Sequence, residues 1–228
     1  MGDNLAYGSR WIAYFDILGF QNMLLDFNKQ HQGHLDVFVQ VYYHDVIEAL
    51  RESGEYYPNE VSITWFSDSF LFFSHDDTLK SFVLIEQEAG HFFWRAICMG
   101  MPLRGALGFG EFYGDLNSST FLGPALIDAY HYAEHQDWLG FIVAPSAYNR
   151  LDGGSIRLSR LDYVEHDVLF KENKSERIYA YKPKSGSMID PMLRKIREMQ
   201  SQAKHKYPDK YNEFYKPKYE RTIAFLDS

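Results

Sequence analysis

Hydrophobic residues along the chain follow two patterns. Continuous apolar runs are typical of buried strands, and apolar positions three to four residues apart are typical of amphipathic helices. Residues 11–15 form a continuous run that predicts a first strand, and a helical pattern follows Asp16. Apolar positions recur at helical spacing over residues 35–52, which predicts a further helix. Strands are also predicted over 60–67, 69–74 and 102–113, and helices over 79–99 and 123–135.

The second half of the chain is predicted to add strands and then a helix. A short strand is predicted over 141–144, and 156–163 and 178–182 are candidates for two more. Asp190 before Pro191 is typical of a helix start, so a helix is predicted to about residue 203. The order β-α-β-β-α-β matches the split βαβ, ferredoxin-like pattern. We therefore expect an α+β fold, with one domain over residues 1–182 and a helical extension over 183–228.

Composition is that of a soluble globular protein with an aromatic bias. Of 228 residues, 46% are hydrophobic, 24% are charged and 17% are aromatic, which is too apolar for a disordered chain. The single cysteine, Cys98, excludes an internal disulfide and a cysteine-built metal cage. The first residues lack the pattern of a secretory signal, and no uncharged apolar stretch reaches the roughly 18 residues of a membrane span. We expect a cytoplasmic protein without a membrane partner.

Charge divides the chain into an acidic body and a basic extension. Residues 1–181 contain 12 Lys/Arg and 25 Asp/Glu, a net charge of −13, whereas residues 182–228 contain 11 and 6, a net of +5. An acidic body repels a nucleic-acid backbone, whose binding requires cations that neutralise phosphates. No nucleic-acid partner is therefore expected, and the basic extension is predicted to pack on the domain or on a partner copy.

Two aspartates stand out because each interrupts strongly apolar sequence. Asp16 follows the first predicted strand, and Asp68 lies within ITWFSDSFLFF. A buried carboxylate is costly unless it is paired or metal-bound. The split βαβ fold places the first strand beside the central hairpin, so the two carboxylates are expected to meet, and such a pair suits Mg²⁺ with substrate phosphates. The alternative for either aspartate alone is that it caps a turn.

The turn after Asp16 adds a candidate anion site. Gly19 and Phe20 open the predicted helix, and backbone N–H groups at a helix N-terminus bind phosphate. Carboxylates beside such a turn indicate a nucleoside triphosphate. The sequence has no GxxxxGK[ST] phosphate loop, so this signal by itself is weak.

Four segments in series resemble the motifs of class III nucleotide cyclases: FDILGF at 15–20, FSDSFLFF at 66–73, RGALGFGEFYGD at 104–115 and FLGPALIDAYHYAE at 121–134. The resemblance covers about residues 10–180. It implies that Asp16, Asp68 and the backbone carbonyl of Ile17 bind two divalent cations, Mg²⁺ or Mn²⁺. The implied reaction is attack of the ribose 3′-hydroxyl on the α-phosphate, with pyrophosphate leaving, in a homodimer whose composite sites draw residues from both copies.

The sequence departs from the family at several implied positions. Thr64 and Thr120 occupy the base-reading positions, where the family has charged or strongly polar pairs that read purines. The transition-state Asn and Arg fall on Asp128 and Tyr132, and tyrosine does not replace a fixed cation. Arg104 is a weak candidate for that missing role. The phosphate-binding lysine corresponds to Lys174, with Lys171 equally near.

Among cyclases, the altered base-reading positions and the DILGF motif resemble the pyrimidine nucleotide cyclases of Pycsar antiphage defence. That resemblance implies a bacterial enzyme that makes cyclic UMP or cyclic CMP, with UTP slightly favoured over CTP, and a separate effector that the product activates. Two alternatives remain open. One is a catalytically inactive cyclase-like module for nucleotide binding or dimerisation, and the other is a different two-carboxylate phosphotransferase or hydrolase.

Overall fold

The predicted order of elements is present in the first half of the chain. A computed structural model describes residues 7–30, 36, 40, 44, 60–151 and 157–228, so most of the helix predicted over 35–52 lies outside the described residues. The elements of this half are β1 (Gly8–Ile17), α1 (Phe20–Gln30), β2 (Val61–Phe66), β3 (Ser69–Ser74), α2 (Leu79–Met99) and β4 (Leu103–Asp115).

The second half adds strands to the sheet and then a helical segment. Its elements are β5 (Thr120–Leu122), α3 (Pro124–His135), β6 (Phe141–Val143), α4 (Pro145–Leu151), β7 (Tyr163–Phe170), β8 (Lys174–Tyr181), α5 (Gly186–Lys206) and α6 (Lys216–Asp227). Short turns of helix at Leu158–Arg160, Lys171–Asn173, Pro208–Lys210 and Tyr211–Tyr215 connect them. None of the described helices is both long and apolar enough to cross a membrane.

Three predicted boundaries were wrong. The strand predicted over 178–182 begins four residues earlier, at Lys174. The strand predicted over 156–163 begins only at Tyr163, which pairs with Tyr181, because buried Leu158 packs from a 3₁₀ turn instead. The helix predicted from Asp190 begins four residues earlier, at Gly186. Pro191 lies inside this helix, near its start, where the missing N–H removes one backbone hydrogen bond without ending the helix.

The strands form one mixed sheet with the order β2-β3-β1-β4-β6-β8-β7, and β5 pairs with the far end of β4. β2, β3, β1 and β4 are antiparallel neighbours, and β6 is parallel to β4. The first four strands have the split βαβ arrangement, so the predicted α+β class is confirmed.

β1 is buried on both faces, which explains its continuous apolar sequence. On one face Phe15 contacts Phe92 of α2, with ring centroids 5.2 Å apart. On the other face Tyr14 contacts Tyr130 of α3, with centroids 5.5 Å apart. α3 approaches the sheet closely at Gly108, where an added Cβ would lie 3.2 Å from a backbone oxygen of that helix. The site described below lies at the C-terminal end of this central strand.

The C-terminal segment, residues 183–228, packs on the loop before β6. Phe225 of α6 contacts Trp138, with ring centroids 4.9 Å apart. The backbone N–H of Leu139 donates to the hydroxyl of buried Thr222, 2.9 Å away. The segment is therefore joined to the loop before β6 by both apolar packing and buried hydrogen bonds.

Candidate active site

Asp16 and Asp68 lie side by side at one end of β1. Asp16 is in register with Ser69, the first residue of β3, and Asp68 occupies the turn just before it. The backbone N–H of Ile17 donates to the carbonyl of Asp68 at 3.0 Å, which ties the end of β1 to that turn. Ser67 makes the turn possible with a left-handed φ of 56°. Strand pairing thus brings together the backbones of two aspartates that are 52 positions apart in the chain.

Asp16 is a buried carboxylate that already has a cationic partner. Only 5% of the residue is exposed. Arg104, its register partner on β4, donates to Oδ2 from Nε at 3.0 Å and from Nη2 at 2.7 Å. Burial raises the pKa of Asp16 to about 7, although the charge of Arg104 acts in the opposite direction. Both bonds from Arg104 end on Oδ2, so Oδ1 takes no bond from it.

Arg104 extends this pair into a larger network that sequence reasoning missed. Its Nη2 also lies 2.9 Å from Oε2 of Glu134, and its Nη1 donates to the Glu134 carbonyl at 2.8 Å. Lys171 lies 3.7 Å from the same carboxylate. Lys174 instead pairs with exposed Glu172 at 3.2 Å. Of the two lysines considered from sequence, Lys171 is the one that contacts the network.

The α3 residues Asp128 and Tyr132 have partners of their own. The carboxylate of Asp128 accepts a short hydrogen bond from Ser146, whose hydroxyl also accepts from the backbone N–H of Phe109 at 3.0 Å. The hydroxyl of Tyr132 donates to Glu176 at 3.3 Å. Burial raises the pKa of Tyr132 to about 12, so its hydroxyl stays un-ionised. A tyrosine side chain supplies no cation in either ionisation state.

The two threonines predicted to read the base lie on different strands. Thr64 on β2 pairs with Leu71 of β3. Leu71 is two residues along β3 from Ser69, the register partner of Asp16. Thr120 on β5 pairs with Asp115, eleven residues further along β4 than Arg104. The Thr120 hydroxyl bonds the Ser118 hydroxyl at 2.9 Å. Register therefore places Thr64 nearer than Thr120 to the two aspartates.

The C-terminal segment faces the turn at Gly19 and Phe20. Gly19 has a φ of +75°, in the left-handed region that favours glycine, and a Cβ there would lie 3.3 Å from the Tyr215 hydroxyl. Asn22 of α1 donates to that hydroxyl at 3.1 Å. A cavity of about 250 Å³ separates the two parts of the chain, and its walls are formed by Leu18, Gly19, Asn22, Lys210, Phe214, Tyr215 and Lys218.

The donors at the end of β1 suit a hard divalent cation. Carboxylate and carbonyl oxygens are the ligands that Mg²⁺ prefers, and Mg²⁺ is usually held by one or two carboxylates together with substrate phosphates. Asp16, Asp68 and the carbonyl of Ile17 supply such a partial set. Within the described ranges, no group of three or more His, Cys, Asp or Glu side chains is arranged to hold a metal ion. The residues fit a cation whose coordination shell the substrate completes.

Comparison with solved structures shows which fold carries this site. The chain superimposes on the catalytic core of a rhodopsin-guanylyl cyclase with converted specificity, crystallised in complex with ATPαS, with a TM-score of 0.51. The match covers 77% of this chain and 94% of the other, at 11% identity. The chain has the fold of a nucleotide cyclase catalytic core. Neither a protein-family model nor a curated protein matches it by sequence.

Two further cyclase structures also match. An adenylate/guanylate cyclase/hydrolase from Silicibacter pomeroyi has a TM-score of 0.46 and 10% identity, over 78% of this chain and 99% of its own. A bacterial light-regulated adenylyl cyclase has a TM-score of 0.49 and 12% identity, over 85% and 98%.

On this cyclase fold, the charged side chains at the end of β1 form one contiguous cluster. It contains two carboxylates and two cations, Asp16, Glu134, Arg104 and Lys171, and the backbone of Asp68 adjoins it through the hydrogen bond to Ile17. Such a cluster can hold a divalent cation on the carboxylate side and attract phosphates on the cationic side.

Proposed function

We propose that the protein is a nucleotide cyclase that converts a pyrimidine nucleoside triphosphate into its 3′,5′-cyclic monophosphate and pyrophosphate. The observation that carries the proposal is the position of Asp16 and Asp68, side by side at the end of the central strand of a nucleotide cyclase fold. The order of four cyclase-like sequence motifs supports it independently.

Asp16, Asp68 and the Ile17 carbonyl would hold two divalent cations, Mg²⁺ or Mn²⁺. When bound, such cations activate the attacking hydroxyl and neutralise the leaving pyrophosphate. The protein's own residues bind and orient the nucleotide. The backbone at Gly19 and Phe20 begins α1 and presents N–H groups to the triphosphate. In this proposal Lys171 and Lys174 are the candidate phosphate-binding cations, and the contact of Lys171 with Glu134 favours it.

Residues on α3 are proposed to act across the interface of a homodimer. The bond from Ser146 fixes the carboxylate of Asp128, which makes it a candidate for holding the ribose. Tyr132 lies one helical turn further along. Arg104 forms ion pairs with two carboxylates of its own chain. To stabilise the transition state, it would have to break one of these ion pairs.

A pyrimidine is proposed as the base because Thr64 and Thr120 replace the polar pairs that read purines in cyclases. A hydroxyl both donates and accepts, so two threonines can match the N3–H and a carbonyl of uracil. They can also match cytosine, and we place UTP only slightly ahead of CTP. Replacement of Thr64 by valine should lower pyrimidine turnover about tenfold or more, because a base edge loses its partner.

The cyclic nucleotide is proposed to be a signal in antiphage defence that activates a separate effector protein in the cytoplasm. This part of the proposal rests on the resemblance to Pycsar cyclases. The product of a cyclase is small and diffusible, so the effector need not bind the enzyme.

A second candidate is a nucleotide-binding or dimerisation module without turnover. One observation favours it: the position of the transition-state arginine is occupied by neutral Tyr132, while Arg104 is held on Asp16. Such a module binds nucleotide but releases no cyclic product, so product analysis separates the two candidates.

The proposed function is tested by replacing one aspartate at a time. Asp68→Asn should lower cyclase turnover by about two orders of magnitude or more, because it removes a ligand for the cations. Asp77→Asn is the matched control, since Asp77 is exposed and pairs only weakly with Arg150, at 3.7 Å. Equal turnover of Asp68→Asn and the wild type would refute the assignment of this site.

A further inference from the structure

Arg104 is shared between two carboxylates that approach the same nitrogen of its guanidinium. Its Nη2 lies 2.7 Å from Oδ2 of Asp16 and 2.9 Å from Oε2 of Glu134. The Glu134 carbonyl accepts a further bond from Nη1 at 2.8 Å, so Glu134 holds the guanidinium with both its backbone and its side chain. Arg104 is only 6% exposed. This burial makes the loss of either partner costly.

A divalent cation bound to Asp16 would weaken the ion pair between Asp16 and Arg104. The cation repels the guanidinium and competes with it for the same carboxylate. Arg104 cannot turn to solvent from its buried position, so it needs another carboxylate when Asp16 binds a cation. Glu134 supplies that carboxylate, and Lys171 at 3.7 Å restrains it from the exposed side.

We propose that Glu134 is a positioning residue for the cation site: it holds Arg104 so that Asp16 can bind a divalent cation. The inference rests on the proposed function, because it takes Asp16 as a cation ligand. In this proposal Glu134, on the helix α3, affects how tightly the site at the end of β1 binds a divalent cation. Without the Glu134 carboxylate, Asp16 is the one charged partner that Arg104 keeps among the described residues, and a cation must displace it from there.

The test measures Mn²⁺ binding to the full chain by electron paramagnetic resonance, without nucleotide and without turnover. We expect the wild type to bind Mn²⁺, and Glu134→Gln to weaken that binding about tenfold or more, in the range typical of lost second-sphere partners of metal ligands. Glu165→Gln is the matched control, because Glu165 is an exposed carboxylate of β7 that pairs with Arg177 at 3.6 Å. It should bind Mn²⁺ as the wild type does.

A second variant covers the case in which Glu134→Gln does not fold. Glu134→Asp keeps the charge but retracts it, so we expect a smaller loss of Mn²⁺ affinity. A merely structural role would lower the melting temperature and leave the Mn²⁺ affinity of the folded protein unchanged, and that result would overturn the proposal. Absence of Mn²⁺ binding in the wild type would overturn both this inference and the cation site. Binding that needs Asp68 but not Glu134 would overturn this inference alone.

Discussion

At the scale of single residues, the protein buries charged groups in two different ways. Asp16 lies against Arg104, so its charge has a partner. Glu88 on α2 is fully buried, and in the described part of the chain neither of its carboxylate oxygens has a hydrogen-bond partner. Burial raises the pKa of Glu88 to about 8. Arg104 thus gives the charged form of Asp16 a partner, whereas Glu88 has no such partner in the described part of the chain.

The raised pKa of Glu88 predicts a pH dependence of stability. The unfolded carboxyl ionises near pH 4.5 and the folded one only near pH 8, so the free energy of unfolding falls as the pH rises between these values. Glu88→Gln removes this loss and should be more stable than the wild type at pH 9, by about 1–3 kcal/mol. Urea unfolding at pH 5 and pH 9 measures the difference. An unchanged pH profile in Glu88→Gln would contradict the argument, and Glu213→Gln, at an exposed position, is the control.

The partner of Asp16 predicts that the two site aspartates differ in their contribution to stability. Asp16→Ala leaves the buried guanidinium of Arg104 without one of its carboxylates, so we expect it to lower the free energy of unfolding by about 3 kcal/mol or more. Asp68→Ala lies in a turn and should cost less than about 1 kcal/mol. Thermal unfolding compares the two variants. Equal losses of unfolding free energy would show that the Asp16–Arg104 pair does not stabilise the fold.

A candidate site residue can be predicted from the sequence when it interrupts the hydrophobic pattern. Asp16 and Asp68 interrupt apolar runs, so the hydrophobic pattern alone singles out both of them. Glu134 and Lys171 break no pattern, because a glutamate on an amphipathic helix and a lysine in a polar turn are ordinary surface residues. The contacts of Glu134 with Arg104 and of Lys171 with Glu134 are products of tertiary packing, to which no local pattern corresponds.

At the scale of elements, strands with a continuous apolar run could be predicted, and a strand segment that begins with exposed polar residues could not. β1 and β3 are continuous apolar runs, and their predicted positions are close to those in the structure. β8 begins with four exposed polar residues, KSER, so its first half carries no hydrophobic signal. Its pairing with β7, rather than its own sequence, defines its start.

The attachment of α6 to the loop before β6 gives a prediction for the hydroxyl of Thr222. Thr222 accepts from the Leu139 N–H at 2.9 Å and is 3% exposed. Thr222→Val keeps the shape of the side chain but leaves that N–H without its partner, so the free energy of unfolding should fall by about 1–3 kcal/mol. Thr222→Ser retains the hydroxyl and should lose less. Equal losses in the two variants, measured by urea unfolding, would assign the effect to the methyl group instead.

At the scale of the whole molecule, the charge asymmetry of the sequence has a physical counterpart. Cations of the basic C-terminal segment pair with acids of the body: Lys206 lies 3.3 Å from Asp26, and Arg221 and Lys218 both contact Asp137. These pairs lie near α1 and the loop before β6. Part of the excess positive charge of the C-terminal segment is thus neutralised by ion pairs within the chain.

The proposed homodimer predicts complementation between two inactive variants. Several large apolar side chains are exposed on the β2–β3 hairpin and on α3, including Phe66 at 85% and Ile127 at 68%. A second copy that covers them would bring Asp128 of one subunit to the aspartates of the other. A mixture of Asp68→Asn and Asp128→Ala should therefore regain part of the activity that each variant lacks. Sedimentation that shows an active monomer would contradict the composite site.

The central claim is that this fold, with Asp16 and Asp68 at the end of β1, cyclises a nucleoside triphosphate. The most direct measurement incubates the protein with UTP, CTP, ATP or GTP in turn, with Mn²⁺, and identifies the products by mass spectrometry. The account predicts a 3′,5′-cyclic pyrimidine monophosphate and pyrophosphate from the wild type, with UTP the better substrate, and about a hundredth of that yield or less from Asp68→Asn. Cyclic products from purines alone would contradict the choice of base, and no cyclic product from any of the four would contradict the claim itself.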